Sequence, residues 1–250
     1  MAFPGFDKYS VNARLIPALI VVLPIGLSLA SLFPQKFHGW DLIVWLGTSS
    51  GMAVFLEQLA RDKGRSKQSY LFSLWGGNPA ALMLSHHGSD LDPVTLKRYH
   101  RILSGLIGID IPSAEDEQSD PERSDNIYRS CISFLKSRTR DKEGFGLIFA
   151  ENVNYGFRRN LWGMKPYALT FTVLSVCMVL TQVIPYWEDF SGIKPVAWVA
   201  LVLDISFLSV WIFHIKPEWI RVTSEAYALQ LISACDQLEE KEKDHVQGNT

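Results

Sequence analysis

The sequence predicts an all-α integral membrane protein, with four transmembrane helices in two hairpins that flank a cytoplasmic helical domain. Three observations carry this reading. Four long apolar blocks interrupt a chain that is 20% charged overall. Lysine and arginine gather on one side of those blocks, as cytoplasmic flanks do. No stretch alternates apolar and polar residues as a half-buried strand would.

The first block, Leu15–Phe33, has 19 residues without a charge. Lys8 and Arg14 precede it, and Ser28 and Ala30 resemble a cleavage site. Its apolar stretch exceeds the usual signal-peptide core and the next block follows closely, so an uncleaved helix is expected. Leu42–Leu56 has 15 uncharged residues and continues past Glu57 to Ala60, giving a second helix over about 40–60. Pro166–Trp187 has 22 residues without a charge, and Pro195–Phe213 has 19 with Asp204 alone. These predict helices over about 166–187 and 195–213, since about 20 apolar residues cross ~30 Å of hydrocarbon. Trp40, Trp45, Tyr186, Trp187 and Trp198 fall at one interface, and Trp162, Tyr167, Trp211 and Phe213 at the other. Interfacial aromatic belts have this placement, whereas a soluble helical core does not require it.

The two short connections carry one lysine each, Lys36 and Lys194, while Arg61, Lys63, Arg65, Lys67, Arg158, Arg159, Lys165, Lys216 and Arg221 lie on the other side with Lys8 and Arg14. The positive-inside rule then places both termini in the cytoplasm of a bacterial inner (plasma) membrane. The expected organisation is an N-terminal hairpin over 1–60, a cytoplasmic domain over 61–165, a second hairpin over 166–214, and a cytoplasmic amphipathic helix and tail over 215–250. Cys131, Cys177 and Cys235 have no paired spacing, so neither a disulfide framework nor a cysteine zinc site is implied. A net charge of −2 gives no nucleic-acid footprint, and direct nucleic-acid binding is not expected.

Within 61–165, Asn78-Pro79 and Asp92-Pro93 each read as an N-cap followed by proline at the first helical position. Leu96, Tyr99, Leu103 and Leu106 continue the second of these at helical spacing. The segment 110–122 holds six acidic residues, no basic ones and two prolines, which predicts a surface loop. Helices are expected over about 125–139 and 145–162. After Pro217, Ala228, Leu231, Ile232, Cys235 and Leu238 form an amphipathic stripe. Packing on the cytoplasmic segment is the ordinary way to bury such a stripe.

Asp204 is the first candidate site. A carboxylate at bilayer depth costs roughly 2.5–3.5 kcal/mol by insertion scales, so such residues usually face a partner or a cavity. Ser49, Ser50 and Ser175 fall at a similar depth, and Pro24 frees a backbone carbonyl of the first helix, so one shared polar layer is expected. Such a layer serves either as a proton- or ion-responsive centre or as hydrogen-bonded glue between helices. Gly47 and Gly51 match small-xxx-small spacing for close helix approach, within the subunit or between copies. On a helix, Glu151, Asn154, Tyr155 and Arg158 form a polar stripe flanked by Asn152, Arg159 and Asn160. Arginines beside a membrane helix either touch lipid phosphates or line a pocket for a small anionic ligand.

His86, His87 and His100 do not reproduce H-x-x-x-H spacing, and no metal site or cofactor is expected. Phosphate-binding loops, GxSxG elbows and dinucleotide fingerprints are absent, so no catalytic residue is assigned. Trp75-Gly-Gly-Asn-Pro79, Arg98-Tyr-His100 and the stretch Glu151–Lys165 together resemble a family of uncharacterised bacterial four-helix membrane proteins. That resemblance implies the architecture and no functional residue.

The expected role is non-enzymatic: a membrane sensor or effector whose cytoplasmic domain receives a ligand or protein partner and couples it to oligomeric membrane helices. Architectural analogy points to antiphage or stress response. The alternatives are a small channel or proton-coupled transporter using Asp204, and a membrane enzyme acting on lipid or envelope precursors near Arg158 and Arg159.

Overall fold

The computed structural model describes residues 7–33 and 50–247, and it is helical throughout with no strand among them. Gly47, Ser49 and the side chain of Ser50 lie outside the described residues, as does the first part of the predicted second helix. The helices in chain order are α1 (Lys8–Leu32), α2 (Ser50–Ser66), α3 (Gln68–Leu74), α4 (Pro79–Leu84), α5 (Pro93–Ile107) and α6 (Ala114–Ser119). They continue with α7 (Pro121–Arg138), α8 (Gly146–Gly163), α9 (Lys165–Val183), α10 (Pro195–His214) and α11 (Pro217–Gln247). Three segments of the described chain are long and apolar enough to cross a membrane: α1, α9 with its extension to Tyr186, and α10. This suggests a membrane protein.

The chain forms two compact units, one of residues 1–68 and 153–220, the other of 69–152 and 221–250. The first is built on α1, α2, α9 and α10. Midway along these helices the buried stripes are mostly small or polar, with Pro17, Val21, Pro24, Ser28 and Ser31 on α1, Ala168, Thr172, Ser175 and Val179 on α9, and Ala197, Ala200 and Asp204 on α10, while the large Leu15 and Trp211 are buried nearer the ends of α1 and α10. Val173, Leu174, Val199, Val202 and Ile205 are exposed instead. Small residues inside and large apolar residues outside suit helices that pack in lipid rather than in water.

Pro17 shapes the start of α1. It has no N–H for the Ala13 carbonyl, and the helix passes through a π turn over Val11–Leu15, with the Ile16 N–H bonded to the Val11 carbonyl. The Asn160 amide takes up the Ala13 carbonyl at 2.7 Å. Glu57 does not interrupt α2, because Arg14 pairs with it and Ala53, Leu56 and Ala60 are buried on the same face. α2 therefore runs to Ser66, beyond the predicted end near 60.

The second unit has its own core, in which Leu84, Leu103, Leu135 and Phe145 pack with Ala228, Leu231, Ile232 and Cys235 of α11. The stripe of the C-terminal helix is thus buried against the middle segment. The proline-marked helix starts hold: Asn78 accepts from the Ala80 N–H at 3.1 Å, and Asp92 from Val94 and Thr95 at 3.1 and 2.9 Å. α5 stops at Gly108, whose φ of 73° favours glycine.

The acidic segment departs from the expected loop. Ser113 and Asp116 form a reciprocal capping box that opens α6. Asp120 then caps Pro121, so α7 starts four residues earlier than expected. Glu117 anchors this segment, accepting from Ser85 Oγ at 2.5 Å, the His86 N–H at 2.7 Å and Tyr128 Oη at 2.9 Å.

Candidate functional site

The candidate site sits where the small and polar stripes of α1, α9 and α10 meet. Asp204, midway along α10, has no exposed surface. Ser175 Oγ bonds its Oδ2 at 2.6 Å, while Oδ1 has no hydrogen-bond partner among the described residues. Ser175 Oγ also lies 2.8 Å from the Pro24 carbonyl and close to Ser28 Oγ. Ser28 Oγ reaches the Ser175 carbonyl at 3.1 Å. Further along the same helices, Gln182 Nε2 donates to Ser31 Oγ at 2.8 Å, and Ser31 Oγ to the Ser28 carbonyl at 2.9 Å.

Hydrogen counting gives this cluster its chemistry. Ser175 has one hydroxyl hydrogen and three oxygens within its reach, Asp204 Oδ2, the Pro24 carbonyl and Ser28 Oγ. With Asp204 ionised, that hydrogen serves the carboxylate. With Asp204 protonated, the acid can donate to Ser175 Oγ and the serine hydrogen can turn to Pro24. One proton therefore changes the set of bonds through which the serine ties α9 to α1 and α10. No Lys, Arg or His forms an ion pair with Asp204 among the described residues, so the cluster consists of hydroxyls and backbone carbonyls.

Asp204 and Ser175 of the predicted layer are in direct contact. Ser28, Ser31 and Gln182 belong to the network but were not anticipated from the sequence. Their signal was spacing: Pro17, Val21, Pro24, Ser28 and Ser31 recur every four and three residues, as do Thr172, Ser175, Val179 and Gln182. Gly51 has no described neighbour within 4 Å of an added Cβ. The close helix approach within the described chain lies at Gly64 and Gly163 instead.

The predicted polar stripe of α8 separates by residue. Arg158 donates to the Trp219 carbonyl at 2.6 Å and stacks on its ring. Arg159 is directed to Gln68 and Asn160, and Tyr155 is buried beneath its guanidinium. Asn160 is fully buried, whereas Asn154 is exposed. Glu151 and Asn152 fall in the other compact unit. The two arginines therefore do not converge on one pocket.

No protein-family model, curated protein or solved structure matches the chain. Function rests on the residues alone.

The second unit offers open surface rather than an enclosed site. One hollow of about 510 Å³ is lined by Ile109, Asp120, Glu122, Arg123, Asn126, Ile127 and Ser130. A neighbouring one of about 250 Å³ shares Asp120, Arg123 and Ile127 and adds Asp110 and Asp116. Among the described residues no three His, Cys, Asp or Glu side chains are grouped to hold a metal. His86 and His100 are spent on backbone carbonyls, Pro112 at 3.0 Å and Leu84 at 2.7 Å. Burial holds the His100 imidazole below its ordinary pKa.

Proposed function

We propose that this protein is a multi-pass inner-membrane sensor or effector. In this reading its soluble helical unit receives a ligand or protein partner, and its membrane helices respond through the Asp204 cluster. The observation that carries the reading is the bonding of Asp204: fully buried, set among the hydroxyls of Ser175 and Ser28, with its Oδ1 lacking a hydrogen bond among the described residues. An ionisable group in this position is a functional site by default, because its burial brings so little bonding in return. The mixed-charge hollows of the soluble unit suit a polar partner surface better than an enclosed small-molecule site.

Packing within the first unit supports four crossings with both termini inside. Arg14, at the start of α1, pairs with Glu57, and Ala13 bonds Asn160. Leu32 lies at the other end of α1, about 27 Å further along at 1.5 Å per residue. The chain that leaves α1 at Phe33 is thus back at its starting level by Glu57. Contacts from Pro24 to Ser175 and from Ser31 to Gln182 make α1 and α9 run in parallel, and Lys165 Nζ bonds the Ile215 carbonyl where α10 returns.

The channel reading is weaker here, because Asp204 has no exposed surface in this arrangement. The enzyme reading is weaker too, because Arg158 is turned to the carbonyl and ring of Trp219 and does not share a pocket with Arg159. Hydrogen exchange of residues 195–214, measured on the full chain in lipid nanodiscs between about pH 5 and 8, tests the proposal. Protection should change with pH in the wild type and stay flat in Asp204→Asn. Equal pH dependence in both would remove Asp204 from the response. Ion flux in liposomes that disappears in Asp204→Asn would replace the sensor by a channel.

A further inference from the structure

Arg159 is the one buried guanidinium whose described partners are all neutral. It is 8% exposed. Its Nε and Nη2 donate to Asn160 Oδ1 at 3.3 and 3.2 Å, and Nη1 donates to Gln68 Oε1 at 2.8 Å. The Tyr155 ring lies 5.4 Å below its central carbon. No carboxylate forms an ion pair with it among the described residues; the buried Glu57 is taken by Arg14.

A guanidinium stays charged at any physiological pH, so a full positive charge is held here among dipoles and a ring face. Burial of an unpaired charge is costly, and an anion in contact would offset it. The donor count also leaves hydrogens for one. Of five N–H groups three are committed, which leaves one hydrogen on Nη1 and one on Nη2. Asn160 cannot drift away from the group it orients, because its own amide is fixed to the Ala13 carbonyl at 2.7 Å. The fork is therefore set in place before any ligand arrives, which lowers the entropy lost on binding.

We propose that Arg159, oriented by Asn160 and Gln68 over Tyr155, binds a phosphate group. Two N–H donors on a planar cation match two oxygens of a tetrahedral phosphate. α8 leads at Lys165 into α9, which is long and apolar enough to cross a membrane, so a lipid headgroup and a soluble phosphate are the two sources of such a group. The site is independent of any response at Asp204.

The test follows thermal unfolding of the full chain in neutral detergent by tryptophan fluorescence. Inorganic phosphate is titrated against chloride at matched ionic strength, and phosphatidylglycerol against phosphatidylcholine in doped micelles. At least one phosphate source should raise the midpoint of the wild type by several degrees. Arg159→Gln should abolish the shift, and Arg159→Lys, which keeps charge but loses the fork, should weaken apparent affinity about tenfold (one lost charge-assisted bond). A shift with phosphatidylglycerol alone identifies a headgroup site, and one with inorganic phosphate identifies a soluble ligand. If Arg159→Gln does not fold, the comparison rests on Arg159→Lys and Gln68→Ala. No shift in the wild type with either source, or a shift of wild-type size in the folded Arg159 variants, overturns the proposal.

Discussion

Pro17 removes the N–H that would have closed on the Ala13 carbonyl, and the amide of Asn160, 147 positions away, closes on it instead. Nothing in the local sequence around Asn160 announces that task, since an asparagine among arginines at a membrane flank reads as part of a polar face. Replacing it with alanine leaves the Ala13 carbonyl and two Arg159 donors without this partner. Asn160→Ala should destabilise the chain by about 1–3 kcal/mol, read from its unfolding midpoint. A change below about 0.5 kcal/mol would mean that water serves both groups equally well. Glu117 is the matching case in the second unit. Burial raises its pKa, but bonds from Ser85, the His86 N–H and Tyr128 outweigh this and hold it at about 2, against an ordinary 4.5. Because the folded value is depressed, the stability it confers is present above pH 4.5 and disappears as pH falls from there through about 2. Tyr128 shifts upward for the same reason, its phenol buried and donating to that carboxylate. The near-UV circular dichroism melt of Glu117→Gln should lose this part of the acid sensitivity. An unchanged acid profile would show that the bonds to Glu117 do not govern it.

At the scale of elements, α2 and α8 meet at two glycines. A Cβ on Gly64 would stand 2.0 Å from Asn160 Oδ1, and one on Gly163 would stand 2.6 Å from the backbone of Lys63 and Gly64. Alanine at either position forces two backbones apart, at about 1–3 kcal/mol of overpacking. Gly51→Ala meets open space and should be neutral or slightly stabilising, since alanine gains up to ~1 kcal/mol of helix propensity over glycine. Thermal unfolding of the three variants checks that order, and size-exclusion chromatography adds a second readout. Loss of an oligomer in Gly51→Ala alone would assign that glycine to self-association. The same elements show what the sequence reveals and what it hides. The apolar runs of α1, α9 and α10, and the Asn-Pro and Asp-Pro helix starts, are local signals, and each produced the expected helix. The capping box of α6 was local as well, but charge density and prolines drew attention from Ser113 and Asp116. The crossing at Gly64 and Gly163 joins residues 99 positions apart, and no periodicity along one helix encodes a partner on another. For Asp204 the sequence disclosed the residue and one neighbour, Ser175. It left Ser28 obscured, because a serine inside an apolar run is ambiguous until the opposing helix is known.

For the whole molecule, the number of crossings decides which chemistry each site meets. Three crossings would put the two termini on opposite sides, and four would put them on the same side. The contacts of Ala13 and Arg14 with Asn160 and Glu57 bring the start of α1, the later part of α2 and the approach to α9 to one level. If α9 and α10 form a hairpin across the bilayer, as the bond from Lys165 to the Ile215 carbonyl supports, then residue 8 and the approach to α9 share a side, and the segment around Asp189 would lie opposite. Cysteine labelling by an impermeant maleimide on intact bacterial cells tests this directly, with Cys131, Cys177 and Cys235 first changed to serine. Cysteine introduced at Asp189 should be labelled from outside, whereas cysteine at Lys8 or Lys142 should react only after permeabilisation. Labelling at both Lys8 and Asp189 without permeabilisation would require an odd number of crossings. Labelling at Lys8 with Asp189 protected would instead place Arg14 and Arg159 at the outer face, against the charge asymmetry of the chain. The Arg159 site would then face outer-leaflet headgroups and lose access to soluble phosphates inside the cell. A labelled Lys142 with an unlabelled Asp189 would invert the whole assignment and remove the soluble unit from any cytoplasmic partner.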